Sequence, residues 1–351
     1  MTSSVLVYGA TGYTGRLIVE MAVASGLRPI VAGRDPDGVG ALAARLALPS
    51  RVFPLEHPGA IRQGLVSVEV VLHCAGPFAV TSAPMAAACL AAGVHYLDIT
   101  GEIDVFEQLA ARDAEARAAG IMLLPGVGFD VVPSDCLAAH LARRLPGATR
   151  LMLALGGGGR LSRGTLTTMI ENQHRGGMVR RSGRLVGVPA AWRTRTIDFG
   201  RGPRTAVTIP WGDVSTAWYS TGIPDIEVYV AVPAALRAAM VASRHLGWLL
   251  GRRWVRNLQL RRVRRGPAGP SARQLEHGRS TIWGRVEDAA GRSASALLHG
   301  PDGYLLTART ALAIVRRVLE GDAPPGFQTP SRAYGPDCVL SIEGVSREDL
   351  A

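Results

Sequence analysis

The chain has 351 residues, is 47% hydrophobic but only 5% aromatic, and carries 39 basic against 28 acidic residues, a formal net charge of +11. Every basic residue is arginine; the absence of lysine excludes Schiff-base catalysis and any lysine acid or base. The core, built mostly from Ala, Val and Leu, suits a sheet covered by helices, and the length favours two domains over one.

The charge is local. Residues 1–130 net −4, whereas residues 234–265 hold nine arginines and no acid. No apolar run is long enough to span a bilayer, and no basic stretch precedes an apolar one at the start, so no leader is expected. The cysteines (Cys74, Cys89, Cys136 and Cys338) are scattered without a C-x-x-C pair. That speaks against a zinc site, any other metal site or a disulfide framework, and for a reducing cytoplasm.

The first stretch, Val5 to Gly15, reads V-L-V-Y-G-A-T-G-Y-T-G. A short apolar run fits a strand buried on both faces, and the periodic segment from Leu17 fits a helix. Between them lie Gly9, Gly12 and Gly15 in a G-x-x-G-x-x-G turn. Strand, tight glycine turn and helix open a dinucleotide-binding fold: glycines let the backbone approach a diphosphate, and the helix N-terminus offers it free N–H groups. Thr11, Tyr13 and Thr14 are contacts from the same turn.

A second strand, Pro29–Ala32, ends in Gly33-Arg34-Asp35. The residue at this position selects the cofactor. Arg34 suits a 2′-phosphate, so the expected cofactor is NADP(H); Asp35 could instead reach the ribose. A helix over Leu42–Leu46 and strands at Val52–Leu55 and Val68–His73 follow. The last strand runs into Cys74-Ala75-Gly76-Pro77-Phe78, where a Gly-Pro pair turns the chain away at the ligand-binding end of a parallel sheet. Ala75 to Phe78 are expected cofactor contacts, while His73 and Cys74 are expected to pack.

Pro84–Ala92 reads as a helix, His95–Ile99 as a strand closing in Thr100-Gly101-Glu102, Glu107–Ala119 as one helix and Ile121–Leu124 as the last parallel strand. The loop Pro125-Gly126-Val127-Gly128-Phe129-Asp130 then precedes a helix from about Pro133 to Arg144. So restricted a loop implies something close to its backbone, and Gly128 and Phe129 are assigned to the cofactor. Residues 150–232 turn to β-type segments (Leu151–Leu155, Thr205–Ile209, Thr216–Ser220, Ile226–Val230) around a helix at Gly164–Gln173. Ser280–Glu287 and Arg292–His299 form a hairpin across Asp288–Gly291, and Tyr304–Leu319 is a helix. The expected domains are 1–132, 133–300, and a segment 301–351 returning to the first.

These pieces resemble the saccharopine dehydrogenase-like oxidoreductases, nearest to bacterial members related to trans-acting enoyl reductases. The carriers are V-Y-G-A-T-G-Y-T-G-R (Val7–Arg16), A-G-R (Ala32–Arg34), C-A-G-P-F (Cys74–Phe78), Y-L-D-I-T-G-E (Tyr96–Glu102) and P-G-V-G-F-D-V-V-P-S-D (Pro125–Asp135). D-G-Y-L-L-T-A (Asp302–Ala308) and G-F-Q-T-P-S-R-A-Y-G-P-D (Gly326–Asp337) extend the match toward the C-terminus. The resemblance implies an α/β protein: a Rossmann-type doubly wound parallel sheet plus an α+β domain with a mixed or antiparallel sheet, and the cofactor in the cleft between them. It does not fix the substrate, and the missing lysine departs from members that use one for proton transfer.

Hydride transfer needs a proton source at the atom that collects negative charge. The acids near the expected site are Tyr96, Asp98, Glu102, Asp130 and Asp135. Asp130 is the leading candidate, with Tyr96 and His174 beside it. Asp98, Glu102, Ser134 and Asp135 fit structural roles better, and Glu171, Asn172 and Tyr304 are further possibilities. The expected function is hydride transfer to a C=C or C=N bond of an apolar substrate, a small molecule or acyl chain that is carrier-bound or a secondary metabolite. One rival is C–N chemistry on amino acids, with Arg160, Arg163 and Arg175 for carboxylates. Another is a non-catalytic NADP-binding protein held on a membrane or acidic partner by the basic amphipathic helix 234–265. No nucleic-acid motif accompanies that segment. A homodimer is expected.

Overall fold

The computed structural model describes residues 4–156, 159–173, 175–250 and 252–350. The chain divides into two compact units: Met1–Val132 with Tyr304–Ala333, and Pro133–Gly303 with Tyr334–Ala351.

The first unit is a parallel sheet. Its strands are β1 (Val5–Tyr8), β2 (Ile30–Gly33), β3 (Ser50–Val52), β4 (Val70–His73), β5 (His95–Asp98), β6 (Met122–Leu124) and the short β15 (Gly326–Phe327), in the order β15-β6-β5-β4-β1-β2-β3. All pairings are parallel. Every side chain of β1, β2 and β4 is buried, which is why these strands read as unbroken apolar runs. Burying each such Val, Leu or Ile contributes roughly 1.5–3 kcal/mol. The connecting helices are α1 (Tyr13–Ala24), α2 (Pro36–Leu46), α3 (Pro58–Gly64), α4 (Phe78–Ala92), α5 (Ile103–Ala110) and α6 (Asp113–Ala118). The strand order reverses between β1 and β4, and that switch point is where open α/β sheets bind ligands.

The second unit opens with α7 (Val132–Arg144) and β7 (Arg150–Leu155), followed by α8 (Arg163–Asn172). Its further strands are β8 (Gly177–Arg181), β9 (Arg184–Val188), β10 (Thr194–Asp198), β11 (Pro203–Thr208), β12 (Asp225–Ala231), β13 (Arg279–Glu287), β14 (Ser293–Pro301) and β16 (Ser346–Leu350). The sheet runs β10-β11-β12-β7-β13-β14-β16, with β8 on β12 and β9 on β8. Among the described residues only β7 and β12 pair in parallel, so the sheet is mixed. Its helices are α9 (Asp213–Thr221), α10 (Ala234–Leu250), α11 (Arg253–Arg265) and α12 (Ala272–His277). One core cluster gathers Met152, Phe199, Tyr229, Trp283 and Leu297. Within this sheet the buried Glu227 carboxylate accepts from Arg181, Arg193 and Tyr229.

Several expectations are corrected. Thr216–Ser220 is not a strand but the body of α9. Its β-type residues are overridden because Asp213 to Ala217 are buried on the helix and Gly222, left-handed at φ 71, stops it. Glu107–Ala119 is two helices, α5 and α6. Pro84 lies inside α4, which starts six residues earlier, at Phe78. The segment 301–351 splits: α13 (Gly303–Leu319) and the start of α14 (Pro330–Tyr334) go with the first unit, but β16 pairs with β14 of the second sheet. Residues 234–265 form two helices, not one.

Candidate functional site

The loops at the carboxyl ends of β1, β4, β5 and β6 converge. After β1, the N–H groups of Gly9 and Ala10 both donate to Ala32 O, at 2.9 and 3.2 Å, and Gly12 N–H to Gly9 O at 3.0 Å. Gly9 is left-handed at φ +80, and a Cβ there would lie 2.7 Å from Ala75 N, so the first loop rests directly on the loop after β4. A Cβ on Gly15 would lie 2.3 Å from Gly9 O; that glycine seats α1 on its own turn. Gly12 differs. It is exposed, has ordinary extended backbone (φ −67, ψ 165), and occupies the N-cap of α1, where a glycine brings no side chain to cap the helix end. The turn thus presents bare backbone and a positive helix terminus, as a diphosphate requires.

Arg34 follows β2 and is exposed. Its charge is felt by the Tyr8 hydroxyl, which burial nevertheless pushes up to about 12 and which donates to Phe53 O at 2.9 Å. Asp35 is the N-cap of α2, with its carboxylate turned back over the helix; a Cβ on Gly38 would meet Asp35 Oδ2 at 2.5 Å. Tyr13, in the first turn of α1, meets Tyr304 of α13 edge to face with centroids 5.2 Å apart.

The loop after β4 is held by the loop after β5. Glu102 accepts from Phe78 N at 2.9 Å and Ala79 N at 3.0 Å, closing the start of α4 with a carboxylate. Thr81 Oγ1 donates to Ala75 O at 2.6 Å. Phe78, expected to touch the cofactor, instead buries its ring edge-on against His73 at 5.4 Å, and its N–H is taken by Glu102. His73 is wholly buried among Tyr8, Phe78 and Tyr96. Burial holds it neutral, its pKa lowered to about 3.

Asp98 ends β5 with no exposure. Its carboxylate accepts from Tyr96 OH at 2.8 Å, and from Thr100 N and Gly126 N at 2.9 Å each. Burial raises its pKa to about 6 despite these donors. Tyr96 is corrected as a proton donor: its side chain is entirely buried, and its hydroxyl is committed to Asp98.

After β6, α13 supplies what crowds the loop. Thr307 Oγ1 accepts from Phe129 N at 2.9 Å, Thr310 Oγ1 donates to Val127 O at 2.8 Å, and a Cβ on Gly128 would lie 2.9 Å from Thr307 Cγ2. The restriction at Gly128 and at the Phe129 N–H is thus accounted for by α13. The loop delivers Asp130, partly buried, against Gly101, where a Cβ would meet Asp130 Oδ2 at 2.9 Å. Desolvation, with no charge or hydrogen bond offsetting it, raises the Asp130 pKa to about 6.

The structure thus brings Gly9, Thr11, Gly12, Tyr13, Thr14, Gly15 and the Ala75-Gly76-Pro77 loop to one end of one sheet, together with Arg34 and Asp130. His174 lies outside the described residues. Ser134 and Asp135 serve packing within the second unit: Ser134 donates to Asp213 at 2.8 Å, and Ser220 donates to Asp135. The reading from residues alone missed Gly101, which makes room for Asp130, and Thr307 and Thr310, whose spacing on a helical face was the only available signal.

Residues 5–124 match the family described as saccharopine dehydrogenase NADP binding domain. The match lies within the first unit and runs from β1 to β6. A putative trans-acting enoyl reductase of Mycobacterium tuberculosis is 32% identical over 189 residues, covering 48% of this chain and 43% of the relative. A trans-acting enoyl reductase of Mycobacterium ulcerans is 32% identical over 154 residues, 40% of this chain and 35% of the relative. The matches span less than half the length of these relatives. Apo saccharopine dehydrogenase (L-Glu forming) from Saccharomyces cerevisiae, at 12% identity and a TM-score of 0.64, covers 99% of both chains and shares the fold.

Proposed function

We propose that the protein is an NADP(H)-dependent oxidoreductase that transfers hydride to a C=C or C=N bond of an apolar substrate. The carrying observation is the glycine turn at Gly9–Gly15: it is exposed at Gly12, whose N-cap position carries no side chain of its own, and it is hydrogen-bonded to Ala32 O of the strand that leads into Arg34. The turn and the first-turn N–H groups of α1 would hold the diphosphate, and the Arg34 guanidinium the 2′-phosphate. The bound cofactor supplies the hydride.

Asp130 holds the proton. With its pKa raised to about 6, both of its forms are populated near neutral pH, as general acid catalysis favours. Glu102 and Asp98 keep the surrounding loops rigid, so that the Asp130 carboxyl stays in one place. The names of the curated relatives support an enoyl substrate, and the lack of lysine is against the C–N chemistry of lysine-using members.

The test is NADPH titration followed by NADPH oxidation with an α,β-unsaturated thioester, a cyclic imine, and an amino acid–keto acid pair. Turnover of the first or second, and not the third, supports the reading. Turnover of the pair alone overturns it in favour of amino-acid chemistry, and binding without turnover of any favours a non-catalytic role.

A further inference from the structure

The arginines of 234–265 take no part in the site described above. None of the described side chains of α10, at 234–244, is buried, and Leu236 and Val241 are 50% and 37% exposed. The inner flank of α11 lies toward α8: Gln173 Nε2 donates to Gln259 Oε1 at 2.6 Å, and Val255, Leu260 and Val263 are half-buried. Its outer flank carries Trp254 and Leu258, one helical turn apart and 64% and 63% exposed. Around them stand Arg253, Arg261, Arg262 and Arg265, all exposed. No carboxylate occurs between Glu227 and Glu276.

We propose that α10 and α11 dock the protein on an anionic lipid bilayer, lying in the interface plane. The charge is of one sign and unneutralised by neighbours on its own segment. The exposed apolar groups Leu236, Val241, Trp254 and Leu258 are interleaved with the arginines and spread over two helices. Trp and Leu would enter the headgroup–acyl boundary while guanidiniums grip phosphates beside them. Among the described residues no helix is long and apolar enough to cross a membrane. An acidic protein would answer the charge but not an apolar surface so dispersed.

The experiment floats the full chain with vesicles of phosphatidylcholine alone and of phosphatidylcholine mixed with phosphatidylglycerol. It is repeated with Trp254→Ser/Leu258→Ser and with Arg261→Gln/Arg262→Gln, both at exposed positions, with thermal melts and NADPH affinity as controls. Expected are flotation with the anionic vesicles only, at least a tenfold loss in either double variant, weakening by salt, and unchanged melting and NADPH affinity. NADPH affinity reports on the glycine turn alone, so failure of one reading leaves the other standing. The proposal is overturned if the wild type does not float, or floats equally on neutral vesicles and in both variants. It is also overturned if vesicle binding is absent and sedimentation shows a dimer separated by the Trp254/Leu258 variant, or capture by an acidic acyl carrier protein.

Discussion

Gly12 and Gly15 stand three residues apart in one turn, yet substitution should affect them in different ways. Gly12 is exposed with backbone angles open to any residue, and a Cβ there would sit 3.3 Å from Gly9 O, tight but tolerable. Gly12→Val gives up a favourable N-cap residue, costing about 1 kcal/mol, or a fall in melting temperature of about 2–4 °C. Its isopropyl group would occupy the space from which a diphosphate reaches the helix end. Losing two charge-assisted hydrogen bonds at roughly 1.5–3 kcal/mol each, with about 1.4 kcal/mol per tenfold, weakens NADPH by at least about 100-fold. Gly15→Ala instead drives a Cβ to 2.3 Å from Gly9 O and 3.0 Å from Gly9 C. Those are backbone atoms, so α1 must move by roughly 1 Å to regain ordinary contact, at a cost of roughly 1–3 kcal/mol. Gly15→Ala should therefore lose stability and binding together, whereas Gly12→Val loses binding with little loss of stability. Circular-dichroism melts and NADPH fluorescence titration read both quantities. Retention of NADPH affinity within threefold by a folded Gly12→Val protein would refute the assignment of the turn.

Three further outcomes are expected. Arg34→Ala should weaken NADPH by about tenfold or more while sparing NADH, since it removes one charge-assisted contact to the 2′-phosphate; equal losses in parallel titrations would take Arg34 out of cofactor selection. As a proton donor, Asp130 loses its protonated form as pH rises through about 6, so the wild-type kcat should decline above that value. Asp130→Asn should lower kcat by roughly 100-fold and flatten the profile while NADPH affinity stays near normal; an unchanged rate in a pH-resolved assay would remove Asp130 from the mechanism. Tyr96→Phe removes one of three donors to Asp98 and should cost about 1 kcal/mol of stability with kcat intact, whereas a drop in kcat without a change in melting would restore Tyr96 as a reacting group.

What local chemistry alone decided is the first half of the Rossmann sheet. Val5–Val7 and Val70–Leu72 are apolar on both faces because helices cover both sides of a parallel sheet, and a turn with Gly9 and Gly15 admits no Cβ, so strand, turn and helix were legible in a window of fifteen residues. The end of β2 was legible for the same reason, and Arg34 stands exposed just past it. Tertiary structure decided everything that depends on residues far apart in sequence. Tyr96 and Phe78 read as site residues from their motifs, yet burial gives one to Asp98 and the other to His73. Gly128 read as a cofactor glycine, yet Thr307, 179 positions on, is what it accommodates. Thr216–Ser220 has strand chemistry and became helix because its buried face was fixed by packing, and Cys136 and Cys338, unrelated in sequence, stand as thiols 3.4 Å apart. Hydrogen bonds and desolvation depend on neighbours that only the folded chain supplies, which is why Asp130 could be singled out from the sequence but its raised pKa and its seat on Gly101 could not.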